Sequence, residues 1–325
     1  MALSTNPQTL VKEMTKGGRG ALARLISLAE GGKINTAALL SEAGLDWSNT
    51  PVVGITGPPG AGKSTLTDKL VEVFRKNGSS VGVIAIDPSS PFTGGALLGD
   101  RVRMGGHSAD DGVFIRSLGS RGSLGGLSRA TGDIIKLMSA SGAGCVVVET
   151  VGVGQSELDI IEVADTVTVV LVPESGDSIQ TMKAGIMEIG DIFVVNKSDR
   201  KGAQALAAEL RGTLAIRAGA KAAWKPPVLL TKAVDGTGVE EVAREIEKHG
   251  DFLRRSGALE QKRRERTKNE LIREAERALS ALLAESVRDG EPASGVVSSV
   301  LAGRLSIAEG AQDIARILTG GGGGK

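Results

Sequence analysis

The stretch Gly57-Pro58-Pro59-Gly60-Ala61-Gly62-Lys63-Ser64-Thr65 decides the fold, because it spells GxxxxGKS directly after the apolar, β-branched run Val52-Val53-Gly54-Ile55-Thr56. A loop of this kind between a strand and a helix binds phosphate. Its glycines let successive backbone N–H groups converge on the anion, and the following helix points its positive N-terminus at it. Lys63 adds a point charge, and the Ser64 hydroxyl is suited to Mg²⁺. Leu66, Leu70, Val73 and Phe74 then recur at helical spacing, which supplies the helix that the motif needs.

On either side of this loop the pattern alternates. Strands are expected at Val81 to Ile86, Val113 to Ile115, Cys145 to Val148, Val167 to Val172, Ile192 to Val195 and Val228 to Leu230. Helices are expected to about Asn77, at Arg129 to Ser141, near Ile179 to Ile189, and at Ala203 to Arg217 and Val239 to Lys248. Continuous apolar strands separated by helices predict an α/β fold, a P-loop NTPase with a mainly parallel sheet covered on both faces. Ligands then belong at the carboxyl ends of the strands.

Residues 1–50 read as an N-terminal helical extension, with Leu22, Leu25, Ile26 and Ala29 at helical spacing before Gly31-Gly32, and a short helix from Thr36 to Ala43. Residues 51–250 form the expected nucleotide-binding domain. Residues 251–325 read as a C-terminal helical arm, in which Leu271, Ile272, Ala275, Leu279, Leu282 and Leu283 make an apolar stripe along an otherwise charged helix. Such a stripe beyond the α/β unit either packs back on its own domain or meets a partner, and the second, sharper reading is a dimerisation arm. The Gly320 to Gly324 tail is expected to lack order.

Composition narrows the class. The 325 residues are 41% hydrophobic and 24% charged with a net charge of +1, and aromatics make up 2% with no Tyr. There is no overall basic field and there are few possible stacking platforms, so nucleic acid is not an expected partner. The one cysteine, Cys145, cannot form an internal disulfide and reads as a buried, inert thiol. No run approaches a membrane span, and a reducing, cytoplasmic location is expected.

Several acids accompany the phosphate loop. Asp87 ends the strand Val83-Ile84-Ala85-Ile86 and can reach the metal. Asp100 and Arg101 lie in a long glycine-rich loop, where Asp100 can orient water or meet the metal and Arg101 can neutralise charge. Glu149 ends Cys145-Val146-Val147-Val148 and is the second acidic element, with the Gly152 N–H within reach of a γ-phosphate. Ordinary switch GTPases carry Asp at this first position, so Glu149 narrows the subclass. Gln155 follows Gly154 and only weakly resembles a water-orienting glutamine.

The base is read elsewhere. In Asn196-Lys197-Ser198-Asp199 the carboxylate can accept from both N1–H and the 2-amino group of guanine, a pattern that adenine lacks. Asn196 and the Lys197 stem hold the loop and cover the ring. Thr231-Lys232-Ala233, after Val228-Leu229-Leu230, matches the remaining base-contacting loop, where a backbone N–H meets guanine O6.

With these residues in place, the chain resembles the MeaB, ArgK and MMAA group of cobalamin-mutase-associated G-proteins. The resemblance runs over nearly the whole chain. Its strongest blocks are Gly57 to Thr65, Ile86 to Arg101, Phe114 to Ser117, Arg121 to Leu127, Glu149 to Glu157 and Asn196 to Asp199. It implies Mg²⁺-dependent hydrolysis of GTP to GDP, a homodimer joined through C-terminal helices, and gating of adenosylcobalamin delivery to a methylmalonyl-CoA mutase or a related acyl-CoA mutase. It also implies a third switch near Glu174 to Gln180, with Lys183 after it. Two alternatives stay open: a metal-insertion GTPase, although His107 and His249 are isolated and read as surface or packing residues, and a P-loop kinase linked to amino-acid transport.

Overall fold

The computed structural model describes residues 6–87, 105–107, 109–119, 129–150, 156–173, 185–218 and 223–319. Its centre is a sheet of strands β1 (Val52–Thr56), β2 (Val81–Asp87), β3 (Val113–Gly119), β4 (Cys145–Glu149), β5 (Thr166–Leu171), β6 (Ile192–Val195) and β7 (Val228–Leu230). Their order is β3-β2-β4-β1-β5-β6-β7. Every pairing is parallel, as the continuous apolar runs require. The carboxyl ends of all seven strands therefore share one edge. There Ile55 stands opposite Glu149, and Thr56 opposite Val169.

Alternate side chains of each strand divide between two cores. Val53, Ile55, Val83 and Val147 pack against Leu66, Leu70 and Phe74 of α4 (Lys63–Lys76), and against Val242 and Ile246 of the helix Val239–Ser256. Ile84, Val146 and Val148 face the other way, with Ile134 and Leu137 of the helix Arg129–Ala140 and Leu206 and Leu210 of the helix Ala203–Ala218. Each fully buried Leu or Ile contributes about 1.5–3 kcal/mol. With both faces covered, functional polar groups are left to the edges.

The N-terminal helices α1 (Pro7–Met14), α2 (Arg19–Glu30) and α3 (Thr36–Glu42) extend the second core through Leu10, Leu25, Ile26 and Leu40. Helix α1 was not among the expected elements, although Asn6 caps it by accepting from the Gln8 and Thr9 amides and Pro7 starts it. Arg19 fastens α2 to the β3 entry by donating to the carbonyls of Asp110, Asp111 and Val113. Arg116 on β3 pairs with Glu30.

Contacts divide the chain into Met1–Glu260 and Gln261–Lys325. The helix Val239–Ser256 runs past residue 250 and buries His249 and Leu253. The long helix Ala258–Ser286 follows, with Leu271, Ile272, Leu279, Leu282 and Leu283 exposed. Two helices come after it, Ser294–Leu301 and Ile307–Leu318, the second opened by a reciprocal Ser306–Glu309 cap. No helix among the described residues is long and apolar enough to cross a membrane. Cys145 is buried, and burial pushes its thiol up to about 12, so it stays protonated.

Candidate functional site

The loop from β1 to α4 turns through left-handed backbone at Gly62, which is the N-cap of α4 and carries no side-chain cap. Its first amides are thus left for an anion. Gly57 and Gly62 both have positive φ. A Cβ at Gly57 would strike the Val170 carbonyl, and one at Gly62 the Asn196 amide, so both positions need glycine for space as well as for backbone conformation.

Within this loop Lys63 is buried and donates from Nζ to the carbonyls of Gly57, at 2.7 Å, and Pro58, at 3.0 Å. The ammonium is held over the mouth of the loop by neutral acceptors, where a phosphate oxygen is the stronger partner for a full charge. One residue further, Ser64 donates from Oγ to Glu149 Oε1 at 2.6 Å. This joins two residues 85 positions apart, because β4 lies beside β1. Thr150 donates to the Ile55 carbonyl and to Thr56 Oγ1, which pins the end of β4 to the end of β1.

The loops after β6 and β7 are tied to the phosphate loop by Asn196. Its Nδ2 donates to the Ala61 carbonyl at 2.8 Å, and its Oδ1 accepts from Thr231 Oγ1 and from the Ala233 N–H, each at 3.1 Å. A single buried amide thus fixes three loops from β1, β6 and β7. Lys197 takes positive φ, the one described non-glycine residue to do so. Asp199 is exposed at the rim. Lys232 pairs with Asp235 at 2.7 Å; that bond chiefly raises the Lys232 ammonium, with a smaller contribution from Asp199, and holds Asp235 down to about 2.

Expected site residues thus fall into three groups. Gly57 to Thr65, Glu149, Asn196, Lys197, Asp199 and Thr231 to Ala233 all stand at the carboxyl edge of the sheet. Asp87 ends β2 at the same edge, opposite Gly119. Asp100, Arg101, Gly152, Gln155, Lys183 and the third switch near Glu174 to Gln180 lie outside the described residues. The backbone N–H groups of Thr231, Lys232 and Ala233 donate to Val195 O, Thr237 O and Asn196 Oδ1.

Sequence reasoning assigned Asn196 to its own loop and missed its reach to Ala61, and it missed the Thr56–Thr150 pair. No local signal could have shown either, since the partners are 135 and 94 positions apart. The isolated histidines prove to be interior groups, with His107 8% and His249 2% exposed.

Comparison with known proteins agrees with this geometry. The family model described as methylmalonyl-CoA mutase-associated GTPase MeaB matches residues 22–288. A putative GTPase of Pyrococcus abyssi is 50% identical over 87% of this chain and 88% of its own length. The mitochondrial methylmalonic aciduria type A homolog of Caenorhabditis elegans is 34% identical over 81% of this chain and 70% of its own. A crystal structure titled LAO/AO transport system kinase superposes with a TM-score of 0.71 at 26% identity, covering 98% of this chain and 99% of that one. With a phosphate loop, a Ser–Glu pair beside it and Asn196 bracing the loops after β6 and β7 on one sheet edge, this chain belongs to the MeaB family of P-loop GTPases, which bind GTP and GDP.

Proposed function

We propose that this GTPase is a chaperone of an adenosylcobalamin-dependent acyl-CoA mutase, with methylmalonyl-CoA mutase as client, and that GTP hydrolysis times the loading and protection of its cobalamin. The family match over residues 22–288 carries this reading, and the name of the C. elegans relative supports it. In this reading Gly57 to Thr65 hold the triphosphate, while Asn196, Lys197, Asp199 and Thr231 to Ala233 hold guanine.

A hydroxyl and a carboxylate 2.6 Å apart beside the phosphate loop are hard oxygen donors and suit Mg²⁺. Ser64 and Glu149 would hold it, with Asp87 and Asp100 as further acids. A Mg²⁺ held there would supply positive charge against the phosphates. The chain's own part follows from its bonds. Lys63 exchanges the Gly57 and Pro58 carbonyls for a phosphate oxygen, and the α4 amides face the charge that develops on it. Asp100 or Glu149 orients the attacking water, whose oxygen bonds to the γ-phosphorus as the bond to the β,γ-bridging oxygen breaks; GDP leaves with that bridging oxygen, and the water's protons stay with the released phosphate. The exposed row from Leu271 to Leu283 would join two copies as a homodimer.

The test is affinity between the purified chain and methylmalonyl-CoA mutase, read by light scattering and by cobalamin transfer with a non-hydrolysable GTP analogue and then with GDP. A nucleotide-dependent complex and transfer rate are expected; no complex with either nucleotide refutes the client. Release of free phosphate without transfer to an added acceptor separates this reading from the kinase alternative.

A further inference from the structure

His107 closes the short turn Gly105–His107 and lies against α4, the helix that begins at Lys63. Its Nε2 is 3.1 Å from Asp68 Oδ1 and 3.3 Å from the Asp68 carbonyl. Glu72 stands one helical turn beyond Asp68, on the same face. One ligand atom from each of Asp68, Glu72 and His107 lies within 4.8 Å of the other two. None of the three belongs to the phosphate loop or to the Asn196 network.

An imidazole nitrogen with two carboxylate oxygens is a different donor set from the all-oxygen pair at Ser64 and Glu149. It favours zinc, cobalt or nickel over magnesium. Ligand bonds of about 2.0–2.2 Å place neighbouring donors roughly 3–4 Å apart, and the His107–Asp68 separation already has that value. The remaining gap is one that the Glu72 side chain, 37% exposed, can close by a rotamer change. Lys69 now sits 2.5 Å from Glu72, but it is a single charge on a flexible stem that a divalent ion can displace. Arg75 does not compete, because its guanidinium is engaged by both oxygens of Asp110. A plain hydrogen-bonded His–Asp pair would need Asp68 alone; the second carboxylate is what makes a coordination set.

We propose that Asp68, Glu72 and His107 form a second metal site, for a divalent transition ion of the zinc class, that fastens segment 105–107 to the helix following the phosphate loop. With no ion bound, Nε2–H donates to Asp68. On binding, Nε2 presents its lone pair to the ion, and the proton passes to Nδ1 or to water.

The test uses the full chain, stripped with chelator and then saturated with GDP and Mg²⁺ so that the Ser64 site is filled. Cobalt and zinc are then titrated by equilibrium dialysis with metal analysis, and cobalt is also followed by its visible absorption. One further equivalent per chain is expected, with affinity lowered at least about 10-fold in Glu72→Gln and more in His107→Ala. Glu72→Gln leaves the His107–Asp68 bond intact, so its loss of metal cannot be assigned to misfolding. Absence of the extra equivalent at micromolar metal, or equal binding by the original chain and both variants, overturns the site.

Discussion

The two edges of the sheet both hold buried polar clusters, yet they are built for opposite purposes. At the carboxyl edge, Lys63 rests on two backbone carbonyls and Ser64 on Glu149. In the proposed function each of these bonds is exchanged for a phosphate oxygen or a metal ion. At the amino edge, Asp165 accepts from the Val52 N–H and Asp191 from the Val167 N–H. His249 meets Thr166 Oγ1 at 2.8 Å and lies 3.5 Å from Asp191, under the ring of Trp224 with centroids 4.6 Å apart. Trp224 in turn donates to the Asp191 carbonyl. Here acceptors and donors are locked by strand amides and aromatic packing. The difference teaches that burial and hydrogen bonding alone do not mark a site. What marks it is whether the present partners are replaceable by a ligand.

The largest expected effect tests the replaceable edge. Lys63→Ala should lower GTP affinity about 10²- to 10³-fold, since a buried charge on phosphate is removed, while circular dichroism shows the fold retained. Full affinity in calorimetry would mean that the loop is misread. His249→Ala probes the locked edge: a loss of about 3 kcal/mol in denaturant unfolding is expected from lost packing and an orphaned Thr166, with GTP affinity unchanged. A parallel fall in affinity would break the contrast between the edges.

Asp199→Asn should sharpen the assignment of the rim. An amide there accepts from N1–H but offers a donor to the 2-position, so preference should move from guanine to xanthine nucleotides by about 10²-fold, read in competition binding. Unchanged GTP selectivity would sink the base assignment. The smallest effect belongs to the exposed Lys232–Asp235 pair. Asp235 sits at about 2 against an ordinary 3.8, so its contribution is complete above the unfolded value and is lost as pH falls through the folded one. Unfolding midpoints should therefore drop between about pH 4 and pH 2 more in the original chain than in Asp235→Asn. High salt should shrink the difference without abolishing it, because Thr237 also donates to Asp235 from its N–H and its hydroxyl.

Much of the fold was legible because it rests on short-range rules. The apolar runs, the GxxxxGKS loop and the helical stripe of α4 are each contained within about fifteen residues, where periodicity and turn chemistry act. Some missed elements carried readable signals. Asn6-Pro7 announces α1, and Ser306 to Glu309 announces the last helix. The end of β3 at Gly119 was read short, at Ile115, because Arg116 and Ser117 interrupt the apolar run; in the structure Arg116 finds Glu30 across from α2.

By itself, then, the sequence determined the phosphate loop, the α/β alternation and the placing of acids at strand ends, and it gave the expectation that Asp199 reads the base, because each is written in adjacent residues. Only the tertiary structure decided which of them meet. Asn196 reaches Ala61, Ser64 reaches Glu149, and His107 reaches Asp68, because strand order β3-β2-β4-β1-β5-β6-β7 sets those neighbours. That order is chosen by the packing of two whole cores, and no local run of residues encodes it.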